Sequence, residues 1–237
     1  MDIKHILTTL EKFLLDEYDV NVYIMYGSFA EYRYGLFTEP KDIDINVFGM
    51  NDCTEPFEVN IPGIPIPVSI TPMTFSDFDR EIDAFEPKYF VYWNHSLETS
   101  QYIRNRLYQM HYDTKPEHIR KCVSSFSSKA YNKGKKKLIV KDDYDEYLGL
   151  KNLYHAFKFA RLAIDTFGSN KPFDISFALM HKHRLMWDLK DTYDLIFDTY
   201  HNSTGTLEER FKHLDNIIKP RYNALMTEFR KYFPKGN

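Results

Sequence analysis

The pattern of apolar and polar positions along the chain changes character near residue 95. Before that point, apolar runs of strand length are separated by turns and accompanied by amphipathic helical stretches. The predicted strands are Val22–Tyr26, Lys41–Phe48 and the two halves of Phe57–Thr71 around a Pro62-Gly63 turn, and the predicted helices are Ile3–Tyr18, one opened by Ser28 and one opened by Thr74 or Ser76. The first part of the chain is therefore predicted to be a small mixed α/β unit.

After residue 95, helical periodicity dominates the pattern. The predicted helices are Leu97–Met110, Pro116–Lys137, Tyr144–Phe167, Asp174–Asp188 and Thr206–Tyr232. Gly168 is a plausible stop for the third of these helices, and Pro220 is expected to kink or split the last one. The sequence thus predicts an α+β protein, with a small mixed-sheet domain at 1–95 followed by an all-helical domain at 96–237.

Two carboxylates in the second predicted strand are the strongest candidates for chemistry. Asp42 and Asp44 alternate with Ile43 and Ile45, so both carboxylates are expected on one face of the strand, about 7 Å apart along the chain. Paired carboxylates on a rigid element can hold Mg²⁺ or Mn²⁺ in partial protein coordination. Upstream, Gly27-Ser28 lies where a strand leads into a helix, and the free N–H groups of a helix start favour phosphate.

This order of elements resembles the nucleotidyltransferase superfamily, which includes DNA polymerase β, poly(A) polymerases, CCA-adding enzymes and aminoglycoside nucleotidyltransferases. The shared pattern is an apolar strand, Gly-Ser, a helix and an acid-apolar-acid strand, filled here by Gly27, Ser28, Asp42 and Asp44. The resemblance covers about a fifth of the chain. It implies transfer of a nucleoside monophosphate from a nucleoside triphosphate to an acceptor, with Asp42 and Asp44 as metal ligands and Gly27 and Ser28 near the phosphates.

The third carboxylate of that family is missing from its expected strand. Ile66–Thr71 carries no acid on either face, and the nearest substitute is Glu58 on the strand Phe57–Ile61. Glu58 is therefore the predicted third catalytic acid, with Asp77 as a weaker candidate. The alternative is a catalytically silent module that binds nucleoside triphosphates.

Basic residues of the helical part are candidates for contacts with phosphate. Lys151, His155 and Lys158 follow one another at i, i+4 and i+7, and they form one basic helix face. Their surroundings loosely resemble the helical region of poly(A)-polymerase-like enzymes, which implies a triphosphate role for Lys158 and Ser176. Lys151 is a further candidate because it lies on the same basic face as Lys158. Upstream, the lysine-rich stretch Lys129–Lys141 is either a solvated face or a phosphate-contacting loop.

Composition narrows the function only slightly. The net charge of −3 gives no global attraction to nucleic acid. Composition therefore does not decide whether the acceptor is RNA, tRNA, a protein or a small molecule. The two cysteines form no zinc or redox pattern, and no apolar run is long enough to span a bilayer. We expect a cytoplasmic protein without a membrane segment.

A competing motif lies in the first predicted helix after residue 95. Arg106 and His111 fit the short Arg-x4-His pattern of a helical ribonuclease family often found beside minimal nucleotidyltransferases. In such a site arginine holds the scissile phosphate and histidine exchanges the proton. This ribonuclease or toxin hypothesis is the second alternative.

Overall fold

The computed structural model describes residues 2–33, 40–50, 53–90, 101–168 and 175–236. For residue 33 and residues 175–187 only the backbone is described. The chain forms two compact units, Met1–Tyr112 and Asp113–Asn237. The architecture is α+β, as predicted, with a four-stranded mixed sheet in the first unit and long helices in the second.

The first unit is built around the sheet. Its strands lie in the order β1-β2-β4-β3, with β2 antiparallel to β1 and parallel to β4, and with β3 antiparallel to β4. The strands are β1 (Val22–Tyr26), β2 (Ile43–Phe48), β3 (Phe57–Val59) and β4 (Val68–Met73), and the helices of this unit are α1 (Ile3–Tyr18), α2 (Gly27–Arg33), α3 (Phe75–Asp83) and α4 (Gln101–Tyr112). A 3₁₀ turn, Pro87–Tyr89, lies between α3 and α4.

Alternation along β2 separates a dry face of the sheet from a polar one. Ile43, Ile45 and Val47 are fully buried, and Val68 and Ile70 of β4 are buried in register beside them. Asp44 and Asn46 point to the opposite face, because successive side chains of a strand alternate. Burial of the apolar set fixes the register, since a slip of one residue would exchange the two faces.

The described residues of the second unit form four long helices and a short 3₁₀ helix, Lys141–Asp143. The long helices are α5 (Pro116–Ile139), α6 (Glu146–Phe167), α7 (Ile175–His201) and α8 (Leu207–Tyr232). The start of α8 is fixed by a capping box in which Thr206 and Glu209 bond each other's backbone N–H groups. No described helix is long and apolar enough to cross a membrane.

Several predicted features of the helical part differ from the structure. Pro220 does not split α8, because it removes only one hydrogen bond and buried residues on both sides, Ile218 and Tyr222, hold the helix in place. Helix α7 continues to His201, well beyond the predicted end at Asp188. The predicted domain boundary near residue 95 lies outside the described residues, and α4, which follows it, belongs by its contacts to the first unit.

Candidate active site in the first unit

The turn from β1 into α2 brings Gly27 directly against Asp44. Gly27 has a φ of +71°, in the region that favours glycine. A Cβ added to Gly27 would collide with Oδ2 of Asp44. Any side chain at position 27 would therefore strain the backbone and displace the carboxylate. Because position 27 is glycine, the turn and Asp44 can approach each other this closely.

Asp42 joins the same corner through Ser28. Asp42 lies immediately before β2, two residues from Asp44, and Ser28 Oγ donates a long hydrogen bond of 3.4 Å to Asp42 Oδ1. Both aspartates are partly exposed. The structure thus brings Gly27, Ser28, Asp42 and Asp44 together, the four residues that the sequence pattern singled out. Two carboxylates and a hydroxyl are the oxygen donors that Mg²⁺ and Mn²⁺ accept.

The row of residues across the sheet at Asp44 locates the predicted third acid. Tyr26, Asp44, Ser69 and Glu58 are paired in register on four adjacent strands, so their side chains share the polar face. Ser69 occupies the position beside Asp44, whereas exposed Glu58 lies one strand further, about 10 Å away at two strand spacings. Among the described residues, no three His, Cys, Asp or Glu side chains lie close enough to hold a metal ion together.

The carboxylate of Asp77, in the first turn of α3, is engaged by its neighbours and is not free to serve as the third acid. Thr74 Oγ1 donates to Asp77 Oδ2 at 2.7 Å, and Arg80 donates to Asp77 Oδ1 at 2.7 Å. The hydrogen bond from Thr74, together with the Arg80 guanidinium, lowers the pKa of Asp77 in spite of the opposing effect of burial. These contacts fix the first turn of α3.

A buried polar network lies behind the aspartates on the same face of the sheet. Asn46, which is fully buried, donates through Nδ2 to the Tyr89 hydroxyl at 2.7 Å. Tyr89 in turn donates to Glu81 Oε2 at 2.6 Å, and Lys88 pairs with that carboxylate at 2.7 Å. Sequence reasoning missed this network, although an asparagine between Ile45 and Val47 was a visible signal of a buried polar group.

Tyr26 connects this network with the aspartates. Lys88 Nζ lies 5.1 Å from the centre of the Tyr26 ring, and Tyr26 is the β1 partner of Asp44. Burial, and after it the negative charge of Asp44, raise the pKa of Tyr26 to about 12. The phenol is therefore neutral at physiological pH. It can donate a hydrogen bond on the acidic face without adding charge.

Three lysines of the second unit, Lys133 of α5 with Lys151 and Lys158 of α6, act on one histidine, His155, and are called the lysine cluster. Where α5 and α6 cross, a Cβ on Gly134 would lie 2.8 Å from the carbonyl oxygen of Gly149, so the two backbones are in close contact. Close by, burial and then the positive charges of Lys158, Lys151 and Lys133 hold the pKa of His155 well below its ordinary value. The side chain of Lys158 is almost completely buried. Lys133 belongs to the lysine-rich stretch Lys129–Lys141, which the sequence analysis treated separately from the face of Lys151 and Lys158.

The lysine-rich stretch is helical in α5 up to Ile139, and Lys141 begins a short 3₁₀ helix, so the prediction of a loop is wrong, whereas phosphate contact by its lysines stays a prediction. Lys136 and Lys137 pair with Asp143 at 3.1 and 2.6 Å, and Lys135 lies over the Phe211 ring. These contacts divide the lysines among several surroundings. Ser176 lies on α7, in the part of which only the backbone is described.

The Arg-x4-His motif takes part in the packing of the first unit. Arg106 donates to Asp79 and to Asp83, each at 2.7 Å, and these bonds tie α4 to α3. Both ring nitrogens of the partly exposed His111 are buried, and burial lowers its pKa to about 4. A guanidinium held by two carboxylates and a neutral buried imidazole do not suit the binding and cleavage of a phosphodiester.

Comparison with known proteins finds similarity to solved structures. No family model matches the sequence, and no curated protein matches it. Among solved structures, the chain is similar to a nucleotidyltransferase-like protein from Exiguobacterium sibiricum 255-15, with 14% identity and a TM-score of 0.33. The match covers 97% of this chain and 77% of that one.

Proposed function

We propose that this protein is a metal-dependent nucleotidyltransferase that moves a nucleoside monophosphate from a nucleoside triphosphate to an acceptor and releases pyrophosphate. The observation that carries the proposal is the corner at Gly27, where the backbone of a strand-to-helix turn lies against Asp44 while Ser28 bonds Asp42. Two partly exposed carboxylates beside a glycine turn suit a divalent cation together with phosphate oxygens.

Asp42 and Asp44 would hold Mg²⁺ or Mn²⁺, which the oxygen donors of this corner fit. When bound, such a cation neutralises charge on the triphosphate and on the leaving pyrophosphate. Gly27 leaves room for the approach of phosphate, and the Ser28 hydroxyl is placed to contact a phosphate oxygen. Tyr26 remains a neutral donor beside Asp44, because the raised pKa of its phenol prevents ionisation near pH 7.

The lysine cluster of the second unit is proposed to contact phosphate groups. Lys151 and Lys158 were predicted for this role with Ser176, and Lys133 adds a third cation from a different helix. Lysine is a compact point charge that suits phosphate oxygens. A cationic helix face is complementary to phosphate groups, whether of a nucleotide or of RNA.

Transfer of label from a nucleoside triphosphate tests the proposal. The whole chain is incubated with each labelled nucleoside triphosphate, with Mg²⁺ or Mn²⁺, and with RNA, tRNA, protein and small-molecule acceptors. We expect transfer that falls at least about 100-fold in Asp42→Asn and in Asp44→Asn, since loss of one such electrostatic contact costs several kcal/mol. Asp16→Asn, an exposed carboxylate of α1, is the matched control. Full transfer by both site variants would contradict the proposal.

The second candidate is a silent module that binds nucleoside triphosphates without turning them over. It is favoured by Ser69 in the position beside Asp44 and by the place of Glu58 one strand further away. Glu58→Gln separates the two functions. If Glu58 completes the site, this variant binds the nucleotide but loses turnover. If the module is silent, the unaltered protein binds Mg²⁺ with the nucleotide and releases no pyrophosphate with any acceptor.

A further inference from the structure

A cavity of about 280 Å³ opens between α6, α7 and α8 of the second unit. Its apolar wall includes Phe157, Leu189 and Ile196, each almost completely buried, together with Leu225. Such a wall, combined with a few charged groups at the mouth, is typical of pockets for small molecules. The cavity shares no residue with the lysine cluster or with the aspartates, so its use is independent of the proposed transferase activity.

The charged residues that line the cavity are of two kinds. Arg161 and Asp188 form an ion pair with each other, whereas Arg221 and Asp191 are a second, separate pair of opposite charges. Arg161 is only 13% exposed, and it lies 2.9 Å from Asp165 on its own helix and 2.9 Å from Asp188 on α7. Its charge is therefore taken up within the protein. Arg221 of α8 and Asp191 of α7 also line the cavity, both from exposed positions, and no ion pair of either is found in the part of the chain that the structure describes.

Arg221 and Asp191 are two opposite charges that line the same cavity as an apolar wall, and this combination indicates which class of ligand the cavity suits. A simple anion at Arg221 would leave Asp191 without a counter-charge, and a simple cation at Asp191 would leave Arg221 without one. A zwitterion can pair with both charges at once, because its carboxylate can bind the guanidinium group and its ammonium can bind the aspartate. An apolar body on the same molecule would cover the wall and gain the free energy of burial.

We propose that the cavity between α6, α7 and α8 binds a small zwitterion with an apolar body, of which α-amino acids with branched or aromatic side chains are the simplest. Arg221 receives the carboxylate and Asp191 receives the ammonium. The side chain lies against Leu189, Ile196 and Leu225.

Isothermal titration calorimetry of the whole chain with L-leucine and L-phenylalanine tests this proposal. We expect one saturable site per chain for at least one of them. The same body without the amine, 4-methylpentanoate, and without the carboxylate, 3-methylbutylamine, should bind at least about tenfold more weakly than leucine, which is about 1.4 kcal/mol. Glycine lacks the apolar body and should give no saturable heat at the same concentrations.

Matched variants locate the site. Arg221→Gln and Asp191→Asn should each weaken amino-acid binding by about tenfold or more. Arg230→Gln on α8 and Asp198→Asn on α7 remove the same charges from exposed positions outside the cavity and should leave binding unchanged. The proposal is overturned if neither amino acid binds, if 4-methylpentanoate or 3-methylbutylamine binds as tightly as leucine, or if the control variants weaken binding as much as the cavity variants.

Discussion

The acidic corner of the first unit, formed by Gly27, Ser28, Asp42 and Asp44, and the lysine cluster of the second unit are built in different ways. The acidic corner of the first unit is held by backbone, because Gly27, Asp42 and Asp44 lie on or beside two hydrogen-bonded strands. The lysine cluster of the second unit consists of long side chains on two helix surfaces, brought near one another by the close crossing at Gly134 and Gly149. A substitution that shifts the backbone should therefore abolish the acidic corner, whereas loss of one lysine should weaken the lysine cluster only in part.

Gly27→Ala should have the largest effect, because it breaks the acidic corner at its base. The new methyl group meets Asp44 Oδ2, and the residue must also adopt a φ of +71°. We expect loss of transfer by at least about 100-fold, together with a loss of stability of about 1–2 kcal/mol from the left-handed backbone.

Gly63→Ala is the matched control for Gly27→Ala. Gly63 also has a positive φ, of +89°, but the nearest atom to an added Cβ is 3.5 Å away, on the side chain of His5. This variant should lose similar stability in urea unfolding and retain transfer. Equal loss of transfer in both variants would show that strain alone, and not the contact with Asp44, accounts for the effect.

Gly134→Ala should have the second largest effect, and it acts on the helical unit. Its added Cβ would lie 2.8 Å from the carbonyl oxygen of Gly149 and 2.9 Å from the backbone nitrogen of Leu153, which are groups that cannot move aside without shifting α6. We expect a loss of about 1–3 kcal/mol in the free energy of unfolding, as overpacking of a core usually costs.

Gly149→Ala gives the comparison at the same crossing. There the closest contacts of an added Cβ are side-chain atoms of Leu138, at 2.7 Å, which can change rotamer more readily than backbone can shift. The loss of stability should therefore be smaller than for Gly134→Ala. Denaturant unfolding followed by far-ultraviolet circular dichroism measures both, and the reverse order would contradict the backbone contact as the cause.

Removal of single lysines should weaken nucleotide binding by a graded amount. Lys158→Ala should cost the most, since that side chain is almost buried, and Lys151→Ala and Lys133→Ala should cost less. A desolvated contact of lysine with phosphate is worth about 1.5–3 kcal/mol, and an exposed one only a few tenths. Calorimetry with ATP and AMP decides, because the proposed phosphate role requires larger losses for ATP.

Lys129→Ala is the control for the lysine variants. Lys129 is exposed on α5, one turn before Lys133, and should leave both affinities unchanged. Equal and small losses of affinity for ATP and AMP in all four variants would mean that this helix face contacts solvent and not phosphate.

His155 should give the smallest effect, on the pH dependence of stability. Burial and the neighbouring lysines lower its pKa, so the unfolded chain binds a proton more readily than the folded chain below about pH 6.5. The stability contributed by neutral His155 is present above that pH and is lost as the pH falls towards the depressed pKa.

His155→Gln should therefore lose less stability than the unaltered protein between about pH 7.5 and about pH 5.5. The measurement is the urea midpoint at the two pH values, and the exposed His213→Gln on α8 is the control. An unchanged acid loss in His155→Gln would mean that this imidazole does not sense the lysine cluster.

The sequence by itself determined the acidic corner and most of the secondary structure. Strand alternation placed Asp42 and Asp44 on one face, and the bounds of α1 and β1 agree with the prediction. These features depend on neighbours within a few residues, through side-chain periodicity and the special backbone of glycine, so a single chain segment contains the information. For the same reason the sequence could show that no acid follows on the predicted strand Ile66–Thr71.

Only the tertiary structure decided which distant residues meet. The position of Ser69 between Asp44 and Glu58 follows from the order of strands, the network of Asn46 with Tyr89 and Glu81 joins three elements, and Lys133 reaches the lysine cluster through a helix crossing. The continuity of α8 through Pro220 is of the same kind, since packing of buried neighbours outweighs a local helix-breaking preference. Such contacts arise from the burial of apolar surface between elements far apart in sequence, and no local pattern encodes their geometry.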